Sequence, residues 1–131
     1  MLRYMLDTDT VSFALRGLGG VSARLLEHKP SEICMSVITL AELRYGADRR
    51  GSRKLHGIID AFTAGVTVVS FDEAAAARFG TVAAALVRQG TPIGEFDALI
   101  AAHALALDLT LVTNNTKHFS RVDGLRIDNW F

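Results

Sequence analysis

The sequence predicts an α/β protein with a central, mostly parallel sheet that is covered by helices on both faces. Short apolar runs, which are typical of strands, alternate along the chain with longer segments whose apolar residues recur at helical spacing. Such alternation favours parallel strands that are joined by helical crossovers. A chain of 131 residues is also long enough to bury a core without disulfides. We therefore expect a single domain over residues 1–131.

Two strands are predicted in the first half of the chain. Leu2 to Leu6 and Ile33 to Ile38 are apolar runs, and each is followed by polar residues and then by a helical pattern. Glycine clusters at Gly17 to Gly20 and a smaller break at Gly51-Ser52 interrupt this region. Neither is long enough to be a linker between domains.

The second half repeats the pattern. A strand is predicted at Val66 to Phe71, and a helix over Asp72 to Gln89 has its apolar residues on one face. The segment from Phe96 to Leu107 is apolar on almost every side, which indicates a buried helix. Leu109 to Thr113 is the fourth predicted strand, and a short last strand is expected at Arg126 to Trp130.

Charge and cysteine content limit the classes of function. The 14 basic and 14 acidic residues give no net charge, so any contact with nucleic acid depends on local basic clusters. The single cysteine cannot form an internal disulfide, and no signal-like apolar core precedes Asp7. The most apolar region, Ala98 to Val112, falls short of the ~20 apolar residues that span a bilayer. We expect a cytoplasmic protein without a membrane segment.

Acidic side chains occur where the predicted strands end. Asp7 follows the first strand, Glu42 lies just beyond the second, and Asp97 begins the buried helix. Ligands of open α/β sheets bind at the carboxyl ends of the strands, near the switch in strand order. Close carboxylates repel each other by about 4 kcal/mol per pair at an effective dielectric of about 20, and a hard divalent cation relieves this repulsion. Phosphodiester hydrolysis is the reaction that such a site predicts.

Structural roles for the same acids remain open at this stage. Asp7 could lie in a turn while Asp9 or Thr10 caps a helix that begins near Val11. The spacing from Thr39 to Glu42 also fits a capping box, in which Glu42 would bond the backbone of Thr39.

A further alternative concerns Asp97. A carboxylate in the first turn of a helix is stabilised by the helix dipole by roughly 0.3–1 kcal/mol. Glu95 is already available for that purpose, which favours a site role for Asp97.

Polar and basic residues follow the fourth strand. Asn115 is a neutral amide that can orient water or a phosphate, although an asparagine-rich turn also explains it. His103, within the apolar helix, is interpreted as a packed or hydrogen-bonded core residue.

Two basic clusters could approach a phosphate backbone. The first cluster is Arg44, Arg49, Arg50, Arg53, Lys54 and His56, and the second is Lys117, His118 and Arg121.

Four segments, in this order, carry a family resemblance over nearly the whole chain: Tyr4 to Ser12, Ser36 to Gly46, Ile93 to Ala104 and Leu111 to Phe119. In these segments the chain resembles the VapC toxins of bacterial toxin–antitoxin pairs, which are PIN-domain ribonucleases. The resemblance implies a PIN-like three-layer α/β/α sandwich.

The resemblance also implies functional details. Asp7 and Asp97 are expected to bind Mg²⁺ or Mn²⁺, and Glu42 is expected to complete the acidic set. A homodimer, a VapB-like antitoxin that inserts into the groove, and cleavage of structured RNA are implied as well, with the anticodon loop of the initiator tRNA as the target. Many PIN domains carry a fourth acid where this chain has Asn115, so we expect one firmly bound metal ion, with Asn115 as the fourth site residue.

Two other functions fit parts of the pattern. A degenerate PIN domain would bind RNA or antitoxin without cleavage, which the replacement of an acid by Asn115 favours. A haloacid-dehalogenase-like phosphatase would use Asp7 as a nucleophile, but it needs a later lysine and an acidic pair at a strand end.

Overall fold

Five parallel strands form the centre of the protein in a computed structural model, which describes residues 1–131. The strands are β1 (Tyr4–Leu6), β2 (Ile33–Ser36), β3 (Thr67–Val69), β4 (Thr110–Val112) and β5 (Ile127–Asp128). They lie in the order β3-β2-β1-β4-β5, and every neighbouring pair is parallel. The predicted parallel sheet is therefore confirmed.

Seven α-helices connect and cover the strands. They are α1 (Thr8–Arg16), α2 (Val21–Leu26), α3 (Val37–Arg49), α4 (Arg53–Thr63), α5 (Glu73–Arg88), α6 (Glu95–Ala106) and α7 (Thr116–Phe119). The break at Gly51-Ser52 separates α3 from α4, because the Ser52 hydroxyl accepts a hydrogen bond from the Leu55 amide, 3.0 Å away, and starts a new helix. No helix combines the length and the apolar character that crossing a bilayer requires.

Side chains of the central strands alternate between two cores. Met5 of β1 is in register with Leu111 of β4, and both are buried in the core that includes α5 and α6. The next pair in register, Leu6 and Val112, is buried on the other face, together with Val11 of α1. Because successive residues of a strand point to opposite faces, this gives a three-layer α/β/α sandwich.

The end of β2 differs from the prediction. The strand ends at Ser36 instead of Ile38, and α3 begins at Val37. The Ser36 hydroxyl accepts a hydrogen bond from the Ile38 amide at 3.0 Å and caps the helix. Val37 and Ile38 are apolar and β-branched, so they extend the strand-like pattern into the first turn of a helix.

The strand order reverses between β1 and β4, and this switch creates the crevice of the fold. The Val112 carbonyl, at the carboxyl end of β4, accepts hydrogen bonds from the Asp7 amide and the Thr10 hydroxyl, each at 3.0 Å. The first turn of α1 is thereby tied to the end of β4. Residues that follow β1 and β4 consequently lie at one rim of the sheet.

Candidate active site

Asp7 serves both as a helix cap and as the most buried acid of the site. It is 4% exposed, and its Oδ1 accepts a hydrogen bond from the Thr10 amide at 2.8 Å. The alternative that Asp9 or Thr10 caps the helix is wrong, because α1 begins at Thr8 with Asp7 as its cap. Burial raises the pKa of Asp7, while hydrogen bonds from Thr10 and Thr113 oppose the rise.

Glu42 lies in the second turn of α3 and reaches across to α1. Its Oε1 accepts a hydrogen bond from the Thr8 hydroxyl at 2.6 Å. The capping box from Thr39 to Glu42 is wrong, since Ser36 caps this helix three residues earlier. Burial raises the pKa of Glu42, the hydrogen bond from Thr8 opposes the rise, and the nearby charges of Asp9 and Asp7 add to it.

Asp97 occupies the first turn of α6, after Gly94, whose φ of +93° allows the sharp entry into the helix. Its pKa is raised to about 6, chiefly by burial and then by the charges of Glu42 and Asp7. Its Oδ2 lies 3.3 Å from Nδ1 of His118. The acid therefore faces other carboxylates on one side and a histidine on the other.

The structure thus brings Asp7, Glu42 and Asp97 to one rim of the sheet, where their charges oppose each other. No three histidine, cysteine, aspartate or glutamate side chains are close enough to chelate an ion by themselves. Magnesium commonly binds through only one or two protein carboxylates, with waters and substrate phosphates as the other ligands. The oxygen-only donor set and the mutual repulsion of these acids fit such an ion.

Asn115 holds a neighbouring histidine. Its backbone amide donates to the Thr113 hydroxyl at 3.0 Å, and its side-chain Nδ2 lies 2.8 Å from Nδ1 of His118. The amide thus positions the ring that contacts Asp97. Burial, and then the charge of Arg121, lower the pKa of His118.

Sequence reasoning did not identify Thr8 or His118 as site residues. Thr8 lies between two aspartates, and its contact with Glu42 depends on the packing of α1 against α3. His118 is one helical turn after Asn115, a spacing at which side chains on one helix face meet. The three-residue spacing from Asn115 could have indicated that His118 belongs to the site. From the sequence, His118 was assigned only to the second basic cluster.

Part of the first basic cluster has a structural role. Arg44 pairs with Asp60 of α4, and it also contacts Nδ1 of His56 at 3.0 Å. The other ring nitrogen of His56 lies 2.7 Å from Asp48 of α3. These contacts join α3 to α4, so Arg44 and His56 are engaged within the protein.

His103 is a hydrogen-bonded core residue, as predicted. It is 1% exposed, and its Nδ1 lies 2.8 Å from the Ser36 hydroxyl. The Phe71 ring packs edge-on against it. This histidine therefore supports the junction of β2 and α3 and lies apart from the carboxylates.

Asp97 begins a helix instead of ending a strand, and Asn115 follows β4. The acidic pair that a haloacid-dehalogenase-like phosphatase needs at a strand end is therefore not formed by these residues. The arrangement favours a metal-dependent site over an aspartate nucleophile.

Known proteins provide an independent comparison. The family model of the PIN domain matches residues 4–125. The tRNA(fMet)-specific endonuclease VapC of Shigella flexneri is 38% identical over 99% of both chains. A crystal structure of DNA-bound VapBC from Salmonella typhimurium contains a chain with 37% identity and a TM-score of 0.94, with complete coverage of both chains.

A second solved structure, VapBC2 of Rickettsia felis bound to a promoter DNA fragment, has 32% identity and a TM-score of 0.91 over 99% of this chain and all of the other. The resemblance that the four sequence segments indicated is confirmed over the whole fold. This chain belongs to the PIN-domain family and, within it, to the VapC ribonucleases.

Proposed function

We propose that this protein is the toxin of a toxin–antitoxin pair and acts as an endoribonuclease that depends on Mg²⁺, with Mn²⁺ as a substitute. The observation that carries the proposal is the convergence of Asp7, Glu42 and Asp97 at the switch point of the sheet. Such acids, in a chain that belongs to a ribonuclease family, support phosphodiester hydrolysis.

Each acid has a distinct role in this proposal. Asp7 and Asp97 would hold the cation, because Asp7 is the cap of α1, Asp97 lies in the first turn of α6, and the charge of Asp7 acts on Asp97. A bound divalent cation polarises the scissile phosphate and lowers the pKa of water. Glu42, oriented by the Thr8 hydroxyl, positions the attacking water and accepts its proton.

Asn115 completes the set without adding charge. Three carboxylates and one amide compensate fewer positive charges than four carboxylates would, so one ion is held firmly. Asn115 also orients His118 next to Asp97. The proposed role of Asn115 is therefore to hold His118 in position beside Asp97.

The proposed substrate is the initiator tRNA, cleaved in its anticodon loop. The relative from Shigella flexneri carries the name tRNA(fMet)-specific endonuclease, and it matches this chain over 99% of its length.

The proposed regulator is a VapB-like antitoxin, since the solved relatives are VapBC complexes. A cavity of about 300 Å³ between α1, α3 and α4 borders Glu42 and is lined by apolar residues including Leu43 and Ile59. Arg16 and Arg50 lie at the same cavity. An antitoxin segment with apolar side chains fits this groove and would block the acids.

A second copy of the chain is also part of the proposal. Val87 and Phe96 are 69% and 56% exposed, beside an apolar cavity between α5 and the start of α6. Large apolar side chains at such a surface favour a homodimer. Sedimentation equilibrium of the antitoxin-free protein tests this expectation, and a monomer at micromolar concentration would contradict it.

The decisive experiment compares the wild type with Asp7→Asn in cleavage of purified initiator tRNA. Asparagine is also a good helix cap, so the variant keeps the oxygen that bonds Thr10 and removes only the charge. We expect Mg²⁺-dependent cleavage by the wild type, loss with chelator, and a rate at least about 100-fold lower for Asp7→Asn. The matched control is Asp72→Asn, which makes the same change at the cap of α5, where Oδ1 accepts from the Ala75 amide, and is expected to retain activity.

The outcomes separate the alternatives. Equal cleavage by wild type and Asp7→Asn would contradict the metal mechanism. Tight RNA binding without cleavage by any metal-loaded sample would support the non-cleaving binding module instead. Titration of Mn²⁺ in the same samples is expected to show one site in the wild type and weakened binding in Asp7→Asn.

A further inference from the structure

A basic surface lies beside the acids, where His118 contacts Asp97. It is a shallow cavity of about 360 Å³, lined by Asn115, Lys117, His118 and Arg121. All four side chains can donate hydrogen bonds, and no carboxylate is among them. This composition favours an anion as the occupant.

The two cations of this surface have no acidic partner. Neither Lys117 nor Arg121 forms an ion pair with an acid, so neither charge is neutralised by a partner. Most other lysines and arginines are unpaired as well, and these two are distinguished by their position in the cavity that His118 shares, next to Asp97.

The cavity at Glu42 differs in chemistry. It contains Arg16 and Arg50, but Asp9 and Glu42 line it as well. A phosphate group placed there would meet two carboxylates. Of the two cavities that border the site, only the one along α7 combines cations with the absence of acids.

A chain of short contacts joins this surface to the catalytic rim. Nδ1 of His118 lies 2.8 Å from Nδ2 of Asn115 and 3.3 Å from Oδ2 of Asp97. When the Asn115 amide donates to Nδ1, the neutral ring carries its proton on Nε2. His118 is then a further hydrogen-bond donor at the boundary between the cations and the carboxylate.

The surface is also well anchored. Phe119, at the end of α7, is 1% exposed, and Val122 is 5% exposed. The Ser120 hydroxyl donates to the Lys117 carbonyl at 2.9 Å. Cationic side chains on a segment that is fixed by buried neighbours hold a ligand in one register relative to Asp97.

We propose that Lys117, Arg121 and His118 form a subsite for a backbone phosphate of the RNA, next to the phosphate that is cleaved at Asp97. The inference rests on the proposed ribonuclease function and adds the path of the substrate: the RNA backbone crosses the rim along α7. Phosphate contacts of this kind set register and affinity and carry no sequence information.

The test uses a double substitution with a matched control. Lys117→Gln/Arg121→Gln removes the two cations of the subsite. Lys29→Gln/Arg88→Gln removes the same residue types from exposed positions that belong to neither basic cluster and line neither cavity at the acids. Melting temperatures of both full-length variants establish that they are folded.

Binding is measured first, by fluorescence anisotropy with a labelled single-stranded oligouridylate, at a series of KCl concentrations. Each variant and the reference carry Asp7→Asn, so that the probe stays intact. Each phosphate contact on a single strand contributes about −0.7 to the slope of log K against log [salt]. We expect the subsite variant to have a slope shallower by about 1.4 for its two lost contacts, and the Lys29→Gln/Arg88→Gln variant to match the reference.

Cleavage is measured second, with Mg²⁺ and purified initiator tRNA, in chains that retain Asp7. The subsite variant is expected to have a KM several-fold higher at a kcat close to that of the wild type, because the contact binds substrate and transition state alike. An unchanged salt slope, or equal effects of the two double substitutions, would overturn the subsite.

The two proposals fail in different ways. If the wild type cleaves RNA and the subsite variant binds and cleaves as the wild type does, the ribonuclease function stands and the subsite is wrong. If no sample cleaves RNA but the subsite variant alone loses salt-dependent binding, the subsite stands and the ribonuclease function is wrong.

Discussion

The Thr8 hydroxyl donates a hydrogen bond to Oε1 of Glu42 at 2.6 Å and thereby joins the first helix to the third at the acidic rim. Thr8 is also within hydrogen-bond distance of the Thr39 hydroxyl, at 3.3 Å. Glu42 is therefore held in the crevice by Thr8, the residue adjacent to Asp7. The sequence alone had left a role in a helix cap open for this acid. Its orientation depends on the packing of α1 against α3.

Removal of this hydroxyl is expected to impair cleavage. Thr8→Val keeps a β-branched side chain of similar shape but leaves Glu42 without its donor. A hydrogen bond to a charged group contributes about 1.5–3 kcal/mol, so kcat should fall about 10-fold or more. Thr8→Ser retains the hydroxyl and should retain activity. Wild-type kcat in Thr8→Val, measured with initiator tRNA at saturating Mg²⁺, would show that Glu42 needs no such orientation.

Neutralisation of Asp97 is expected to stabilise the metal-free fold. The pKa of Asp97 is about 6 in the folded protein, above its ordinary value of 3.8, so the folded state binds the proton more tightly than the unfolded state. The contribution of this group to the free energy of unfolding therefore decreases as pH rises from about 3.8 to about 6, and the full penalty applies above that range.

The corresponding measurement is the melting temperature of Asp97→Asn and wild type in chelator. The variant should melt higher at pH 8, and the difference should shrink as pH falls and vanish well below pH 3.8, where Asp97 is protonated in both states. Addition of Mg²⁺ at pH 8 should raise the melting temperature of the wild type and have less effect on the variant. A variant that melts below the wild type at pH 8 without metal would contradict the repulsion at this site.

The packing of Phe131 is expected to depend on the absence of a side chain at Gly19. A Cβ added to Gly19 would lie 2.6 Å from the Phe131 ring, and Gly19 has a φ of +64°. Gly17 has a nearly equal φ of +66°, but nothing lies within 4 Å of its Cβ position. Both alanine substitutions therefore incur the cost of a left-handed backbone, about 1–2 kcal/mol, and only Gly19→Ala also displaces Phe131.

Urea unfolding of the two variants measures the difference. We expect Gly19→Ala to lose at least about 1 kcal/mol more than Gly17→Ala, because overpacking of a close contact typically costs about 1–3 kcal/mol. The Gly20 amide donates to the Phe131 carbonyl, so displacement of this residue also affects that hydrogen bond. Equal losses of unfolding free energy in the two variants would show that Phe131 can move without an energetic cost.

Local patterns were sufficient for most of the fold. The strands and the helices α1, α3, α5 and α6 were predicted, because the spacing of apolar residues reflects which side of an element is buried. The helices α2 and α4 were not predicted. The predictions were wrong at the end of β2, where Val37 and Ile38 continue the apolar run although Ser36 already caps α3. The short helix α7 was not predicted, since four residues carry too little periodic signal.

The acids of the site were predicted to different degrees. Asp7 and Asp97 were expected at the rim because each is next to the end of a strand or the start of a buried helix. The sequence left Glu42 between two roles, and it assigned the cap of α1 to Asp9 or Thr10. The structure shows that Asp7 combines the cap with a place at the rim, which no spacing rule distinguishes.

The sequence by itself determined the class of fold, the acidic residue types and the family resemblance, because each depends on residues close together in the chain or on the order of short segments. Only the tertiary structure decided that Glu42 bonds Thr8 and that His118 lies between Asn115 and Asp97. The partners Thr8 and Glu42 are 34 residues apart. Their distance is set by the register of β1 with β2 and β4 and by helix packing, and no local pattern encodes either.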